Sequence, residues 1–160
     1  MSESNVPEHI RQYWQTFLAQ CSPERATQYT GIPEAWGFGD SPQLADELGT
    51  LVIRGIKTAT CAAAWEYERD GEAIPKEGEL SIILDGRNQP LCIIKTTEVR
   101  IIPFNEVDAQ FAFEEGEDDR SLESWRREHW KYFQRNAGDE NLVNQTMPLV
   151  CERFQMIWKA

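Results

Sequence analysis

Apolar positions recur at helical spacing at the start of the chain. Ile10, Tyr13, Trp14, Phe17, Leu18 and Cys21 share one stripe, which predicts an amphipathic helix near residues 7–20. Pro7 suits its first turn. Ser22-Pro23-Glu24 reads as the cap and first turn of a short second helix. The stretch 35–42, AWGFGDSP, reads as a loop. At its end Ser41 is placed to cap a third helix, with Pro42 in the first position, Asp46 and Glu47 near the positive end of the dipole and Gly55 as the stop. Leu44, Leu48, Leu51 and Val52 form its predicted buried stripe.

After Gly55 the period changes. Residues 58–67 are small, Thr-rich and finally aromatic, and fit a strand or a helix. The β-branched runs 78–86 and 90–102, joined by DGRNQ, predict a hairpin. A loop and short helix follow through Pro103 to Phe113, then the acidic run EEGEDDR. A helix is expected from about Ser121 to Arg135, with Leu122, Trp125, His129 and Phe133 as its apolar face. The run 149–158 closes the chain as a strand with Phe154, Met156 and Trp158 on one side. This order predicts an α+β fold with a small, mostly antiparallel sheet or barrel.

A length of 160 residues suits one domain, and 41% hydrophobic residues with six Trp and seven Phe can supply a core. No run approaches the ~20 apolar residues that cross a bilayer. The N-terminal residues lack the basic and apolar regions of a secretory leader. A cytoplasmic protein with no membrane partner is therefore expected. The net charge of −11 excludes a surface that coats nucleic acid, because phosphate affinity comes from Lys and Arg, but it leaves room for a local basic cleft. Cys21, Cys61, Cys92 and Cys151 form no CxxC pair and read as reduced core residues. With only His9 and His129 available, neither beside a cysteine in sequence, structural zinc is not expected.

The segment GIKTAT (55–60) carries the first candidate chemistry. It is not a phosphate-binding P-loop, since Ile56 separates Gly55 from Lys57 and the order is helix to strand. Lys57 reads either as a helix-terminal lysine or as a side chain entering a barrel mouth, where burial would lower its pKa and suit it to catalysis or anion binding. The acidic run Glu114, Glu115, Glu117, Asp118 and Asp119 reads as a solvated surface, as a carboxylate partner for Lys57, or as oxygen ligands for Mg²⁺ or Mn²⁺. No cofactor is required, although a divalent metal ion fits that run. On the helix 121–135, Arg127, Lys131 and Arg135 recur every fourth residue, with Arg120 and Arg126 nearby and Trp130 and Tyr132 interleaved. Cations with aromatics suit single-stranded RNA; an ordinary soluble helix face with a Glu123–Arg127 pair explains them equally. His129 reads as a core or cleft-wall residue rather than a base.

The run 36–68, WGFGDSP through AAAWEYE, resembles the opening of ASCH domains of the longer bacterial subgroup, with Gly55, Lys57 and Thr60 as the GxKxxT core. FEEGEDDRSLESWRREHWKYF resembles that subgroup's second block, and LVCERFQMIW its closing strand. The resemblance implies a PUA-like small β-barrel with flanking helices over residues 35–160, and an added N-terminal helical extension, 1–34, packed on it. It also implies a cleft around Lys57, Thr60 and Glu115 as catalytic residues, to which the basic, aromatic-interleaved helix adds Arg120, Arg127, Lys131, Arg135 and Trp130 as candidate contacts to substrate or RNA. Ala62 stands where short members carry an Arg.

Two enzyme activities follow from this resemblance, and the basic helix face adds a third, non-enzymatic reading. The first is an RNA-directed, ribonuclease-like hydrolase in which Lys57 stabilises the phosphorane and Glu115 moves protons. The second is an N4-acetylcytidine amidohydrolase using the Thr60 hydroxyl. The third is a non-catalytic RNA-binding module. The partner is RNA or a modified nucleoside in each case, and self-pairing into a homodimer stays open.

Overall fold

The computed structural model describes residues 3–160. Its helices are α1 (Glu8–Gln20), α2 (Pro23–Ala26), α3 (Pro42–Ile53), α4 (Ala64–Asp70), α5 (Ala109–Glu115) and α6 (Leu122–Asn136). Its strands are β1 (Glu34–Trp36), β2 (Ala59–Ala63), β3 (Leu80–Leu84), β4 (Pro90–Pro103) and β5 (Pro148–Trp158). The strand order is β1-β3-β4-β5-β2, with β1 parallel to β3 and the pairs β3–β4 and β2–β5 antiparallel. None of the described helices is long and apolar enough to cross a membrane.

The expected caps form. Ser22 Oγ accepts from Arg25 N–H (3.2 Å), Ser41 Oγ from Leu44 N–H (3.1 Å) and Ser121 Oγ from Ser124 N–H (3.1 Å). Each satisfies a backbone donor that a helix start leaves unpaired. Two expectations change. Residues 34–36, taken in part as loop, form β1 by pairing with Ser81–Ile83, a long-range contact that leaves no local pattern. On α3 the deepest residues are Ala45, Gly49 and Val52 rather than the leucines. At Gly49 an added Cβ would lie 2.5 Å from Leu91 Cδ1, so the tip of that leucine occupies the space a side chain would take. The ambiguous segment 58–67 resolves into both elements, β2 and then α4.

The chain forms two compact units. One holds the residues up to Ile53, Glu79–Lys95 and Met156–Ala160. Its core sets Ile10, Trp14 and Phe17 of α1 against Ile82, Leu84 and Ile93 of the hairpin, with Tyr13, Tyr29 and Trp158 around them. The apolar face of α1 is thus spent on β3 and β4; a fully buried aromatic of this kind contributes roughly 2 kcal/mol. The second unit, Arg54–Gly78 and Thr96–Gln155, packs Phe104, Phe111, Trp125 and Phe133 over Ala59, Ala63, Leu149 and Cys151. Alternate residues of β2 and β5 face those helices, which fixes what else can share that side.

Candidate active site

In the second unit, the end of α5 is clamped to the segment that leads into β2. Thr58 N–H donates to Glu114 O at 2.8 Å. Arg120 donates to Phe113 O (3.0 Å) and Ile56 O (3.4 Å), and its guanidinium lies 3.6 Å from the Phe113 ring centroid. Gly116 ends α5 at φ +74, and a Cβ there would sit 2.6 Å from Ile56 O. Glycine meets both demands, a left-handed backbone and close contact. With the two segments tied this tightly, the side chains of Lys57 and Glu115 meet.

They meet under cover: Lys57 is 2% and Glu115 1% exposed. Lys57 Nζ lies 3.3 Å from Glu115 Oε1, 3.3 Å from Glu115 O and 2.8 Å from Glu117 Oε2, one acceptor for each N–H. The other carboxylate oxygen, Glu115 Oε2, faces His129 Nε2 at 3.2 Å and Cys61 Sγ at 3.6 Å, and accepts from Trp125 Nε1. His129 is oriented twice over. Its Nδ1 lies 2.9 Å from Trp125 O, and its ring stacks on Trp125 at 4.2 Å between centroids. Trp125 and His129 are four residues apart on α6 and so share one face.

A backbone carbonyl can only accept, so His129 Nδ1 carries a proton. A neutral ring would then turn its Nε2 lone pair toward Glu115 Oε2. The pair is relieved as imidazolium and carboxylate. Burial works against the charged form of His129, yet Glu115 outweighs it and the His129 pKa lies above its ordinary value. Burial likewise pushes the Glu115 carboxyl up, but His129, Lys57 and the Trp125 N–H hold it down at about 2. Lysine burial does not lower the Lys57 pKa as anticipated. Desolvation acts in that direction, but Glu117 and Glu115 together move it upward. Lys57 is therefore a fixed ammonium. Cys61, driven well up by burial and by Glu115, stays a thiol. Two cations and two carboxylates leave the cluster balanced, and Glu117, 28% exposed, is its outlet to solvent.

Of the anticipated catalytic residues, Lys57 and Glu115 come together and Thr60 stays apart. Thr60 is half-buried on β2 opposite Glu152 and is hydrogen-bonded to neither. Side chains alternate along a strand, so the face that carries Cys61 to Glu115 turns Thr60 the other way. The anticipated substrate contacts are largely engaged by the protein. Arg127 pairs with Glu128 (3.1 Å) and Asp118 (3.6 Å), and Lys131 pairs with Glu128 (3.4 Å). Arg135 lies over Tyr132 at 5.2 Å, Trp130 packs on Phe104, and Arg120 clamps the loop.

The acidic run is not a free surface either. Glu114 pairs with Arg153 at 2.8 Å, Asp118 accepts from the Ser124 hydroxyl, and Asp119 accepts from Ser121 N–H at 2.9 Å. Sequence reasoning missed Cys61 and Trp125 as members of the cluster. Cys61 was legible in one respect, since it lies four residues from Lys57 and so on the same side of an extended chain.

The ASCH domain family model matches residues 34–158. Similar solved structures include protein EF3133 of Enterococcus faecalis, a member of the DUF984 family, 38% identical over 94% of this chain and 88% of that one with a TM-score of 0.82. An ASCH domain from Lactobacillus crispatus is 28% identical over 95% and 96% of the two chains, with a TM-score of 0.86. The hypothetical protein PH0355, 16% identical over 79% of this chain and 100% of that one with a TM-score of 0.53, shares the fold. No curated protein matches the chain. These likenesses fix the architecture as the PUA-like α+β fold.

Proposed function

We propose, from the premise that this chain belongs to the ASCH domain family, whose domains generally bind RNA, that it is an RNA-directed hydrolase acting at the Lys57–Glu117 outlet. The observation that carries this reading is the occupancy of Lys57: a buried, permanent ammonium whose outermost partner is the half-open carboxylate of Glu117. A phosphodiester can replace that carboxylate charge for charge. A neutral acylated nucleoside can offer Lys57 a hydrogen-bond acceptor but no charge, and would leave the buried cation short of a counter-charge.

In this reading the phosphate takes the place of Glu117 on Lys57 Nζ, and the ammonium stabilises the charge that builds on the phosphorane. The displaced Glu117 accepts the proton of the attacking hydroxyl as the new P–O bond forms, and returns it to the departing sugar oxygen as the old P–O bond breaks. Glu115, held at about 2 and deeply buried, is a poor proton carrier. It acts as a positioning residue that fixes Lys57 and His129. The strand alternation that brings Cys61 to Glu115 sets Thr60 on the other face of β2, which favours the phosphodiester reading over the amidohydrolase one.

The test is cleavage of a labelled single-stranded RNA by the whole chain. Glu117→Gln, at a half-buried position where the amide oxygen can still accept from Lys57, is expected to keep its circular dichroism and RNA binding and to lose turnover by about 100-fold, the scale of a lost general base. Lys57→Met is expected to abolish turnover. Full activity in either folded variant overturns the reading, and release of cytidine from N4-acetylcytidine would restore the competing one.

A further inference from the structure

We propose that Cys61, Glu115 and His129 form a binding site for a single zinc-like divalent cation. The inference goes beyond the hydrolase reading and requires no turnover of any substrate. The three side chains come from β2, α5 and α6, and one donor atom from each, Sγ, Oε2 and Nε2, lies within 4.8 Å of the other two. Tetrahedral zinc with bonds of about 2.3 Å to sulfur, 2.0 Å to nitrogen and 2.1 Å to oxygen sets O···N near 3.4 Å and O···S near 3.6 Å. The corresponding separations here are 3.2 and 3.6 Å. The third separation, Sγ···Nε2, lies within 4.8 Å and would close toward about 3.5 Å as the ion is seated.

Two further features suit a metal. Glu115 Oε2 is crowded, since His129 Nε2, Cys61 Sγ and Trp125 Nε1 all converge on an oxygen with two lone pairs. Replacing two of those hydrogens by one cation relieves the crowding and leaves the Trp125 N–H in place. The outer support is also built: His129 Nδ1–H is committed to Trp125 O, which presents Nε2 as the ligand, and Lys57 holds the other carboxylate oxygen. Metal-binding histidines and carboxylates are held this way by their neighbours.

The exchange balances in charge. Zn²⁺ enters as two protons leave, one from His129 Nε2 and one from Cys61 Sγ, so Lys57, Glu117 and the site keep the same sum. His129 is 13% exposed and Cys61 half-buried, which gives the ion a way in, and a fourth coordination position is left for water.

The test uses the whole chain, freed of metal by a chelator and titrated with Co²⁺ as a spectroscopic stand-in for zinc. Expected are one equivalent bound, a near-ultraviolet thiolate-to-cobalt band, intense visible bands of tetrahedral cobalt, and loss of all of these on adding Zn²⁺. Cys61→Ser should lose the thiolate band, and both it and His129→Gln should bind at least ~10-fold more weakly while keeping their circular dichroism. Cys61 reaches Glu115 only at 3.6 Å and serine is nearly its size, so its serine variant keeps the test open if His129→Gln fails to fold. Absence of the thiolate band in the unaltered protein, or its persistence in Cys61→Ser, overturns the proposal.

Discussion

His129 and Trp125 are locked together twice, by a ring stack of 4.2 Å between centroids and by a 2.9 Å contact from His129 Nδ1 to the Trp125 carbonyl oxygen. The lock decides which nitrogen of His129 faces Glu115, and hence that the two groups sit side by side as an ion pair. Much of the behaviour of the site follows from that pair and from Lys57 on its far side.

The stability of the metal-free protein should depend on pH in two windows. Glu115 has its pKa depressed from 4.5 to about 2, so its contribution is complete above 4.5 and is lost as pH falls toward 2. His129 has its pKa raised above 6.5, so its contribution is complete below 6.5 and is lost as pH rises through the folded value. Lys57, Glu117 and Cys61 face the same pair; Lys57 stays charged and Cys61 stays a thiol across both windows. Urea midpoints should therefore peak between 4.5 and 6.5. The alkaline decline should shrink in His129→Gln; an equal decline in that variant refutes the assignment.

Lys57→Met should destabilise the fold by about 3 kcal/mol, the cost of leaving buried carboxylates short of a partner. Urea denaturation reads this directly. A loss below about 1 kcal/mol would mean that His129 alone balances Glu115.

Gly116→Ala should cost more than Gly138→Ala, although the two backbones have nearly the same φ, +74 and +73. The left-handed penalty of about 1–2 kcal/mol is common to both. Only at Gly116 would the new Cβ meet a neighbour, Ile56 O at 2.6 Å, whereas nothing lies within 4 Å at Gly138. The same urea series should separate them by at least ~1 kcal/mol, with RNA turnover falling only in Gly116→Ala. Equal costs would show that the clamp is soft.

If α6 guides an RNA strand, Glu128 opposes it, because it holds both Arg127 and Lys131. Glu128→Gln should then tighten RNA binding by about twofold to fivefold, the scale of an exposed ion pair. Arg127→Ala should lower the salt slope by about 0.7, one phosphate on a single strand. Filter binding at several salt concentrations measures both, and unchanged slopes would place the RNA elsewhere.

The local signals in this chain were sufficient for its local structure. Period-3.6 apolar stripes specify α1, α3 and α6, serine caps at Ser22, Ser41 and Ser121 mark the starts of α2, α3 and α6, and the β-branched runs around DGRNQ specify the hairpin, because each depends on residues a few positions apart. The motif around Lys57 and the second acidic block were enough to mark Lys57 and Glu115. What the sequence could not decide was the partner of each marked residue. Whether 58–67 was strand or helix depended on pairing with β5, and only that pairing shows that Cys61 rather than Thr60 lies toward Glu115. The charge states were equally out of reach. Lys57 is raised rather than lowered because two carboxylates, Glu115 at the end of α5 and Glu117 in the loop after it, close over it, and the field of a neighbour is a property of distance in space, which the order of residues does not contain.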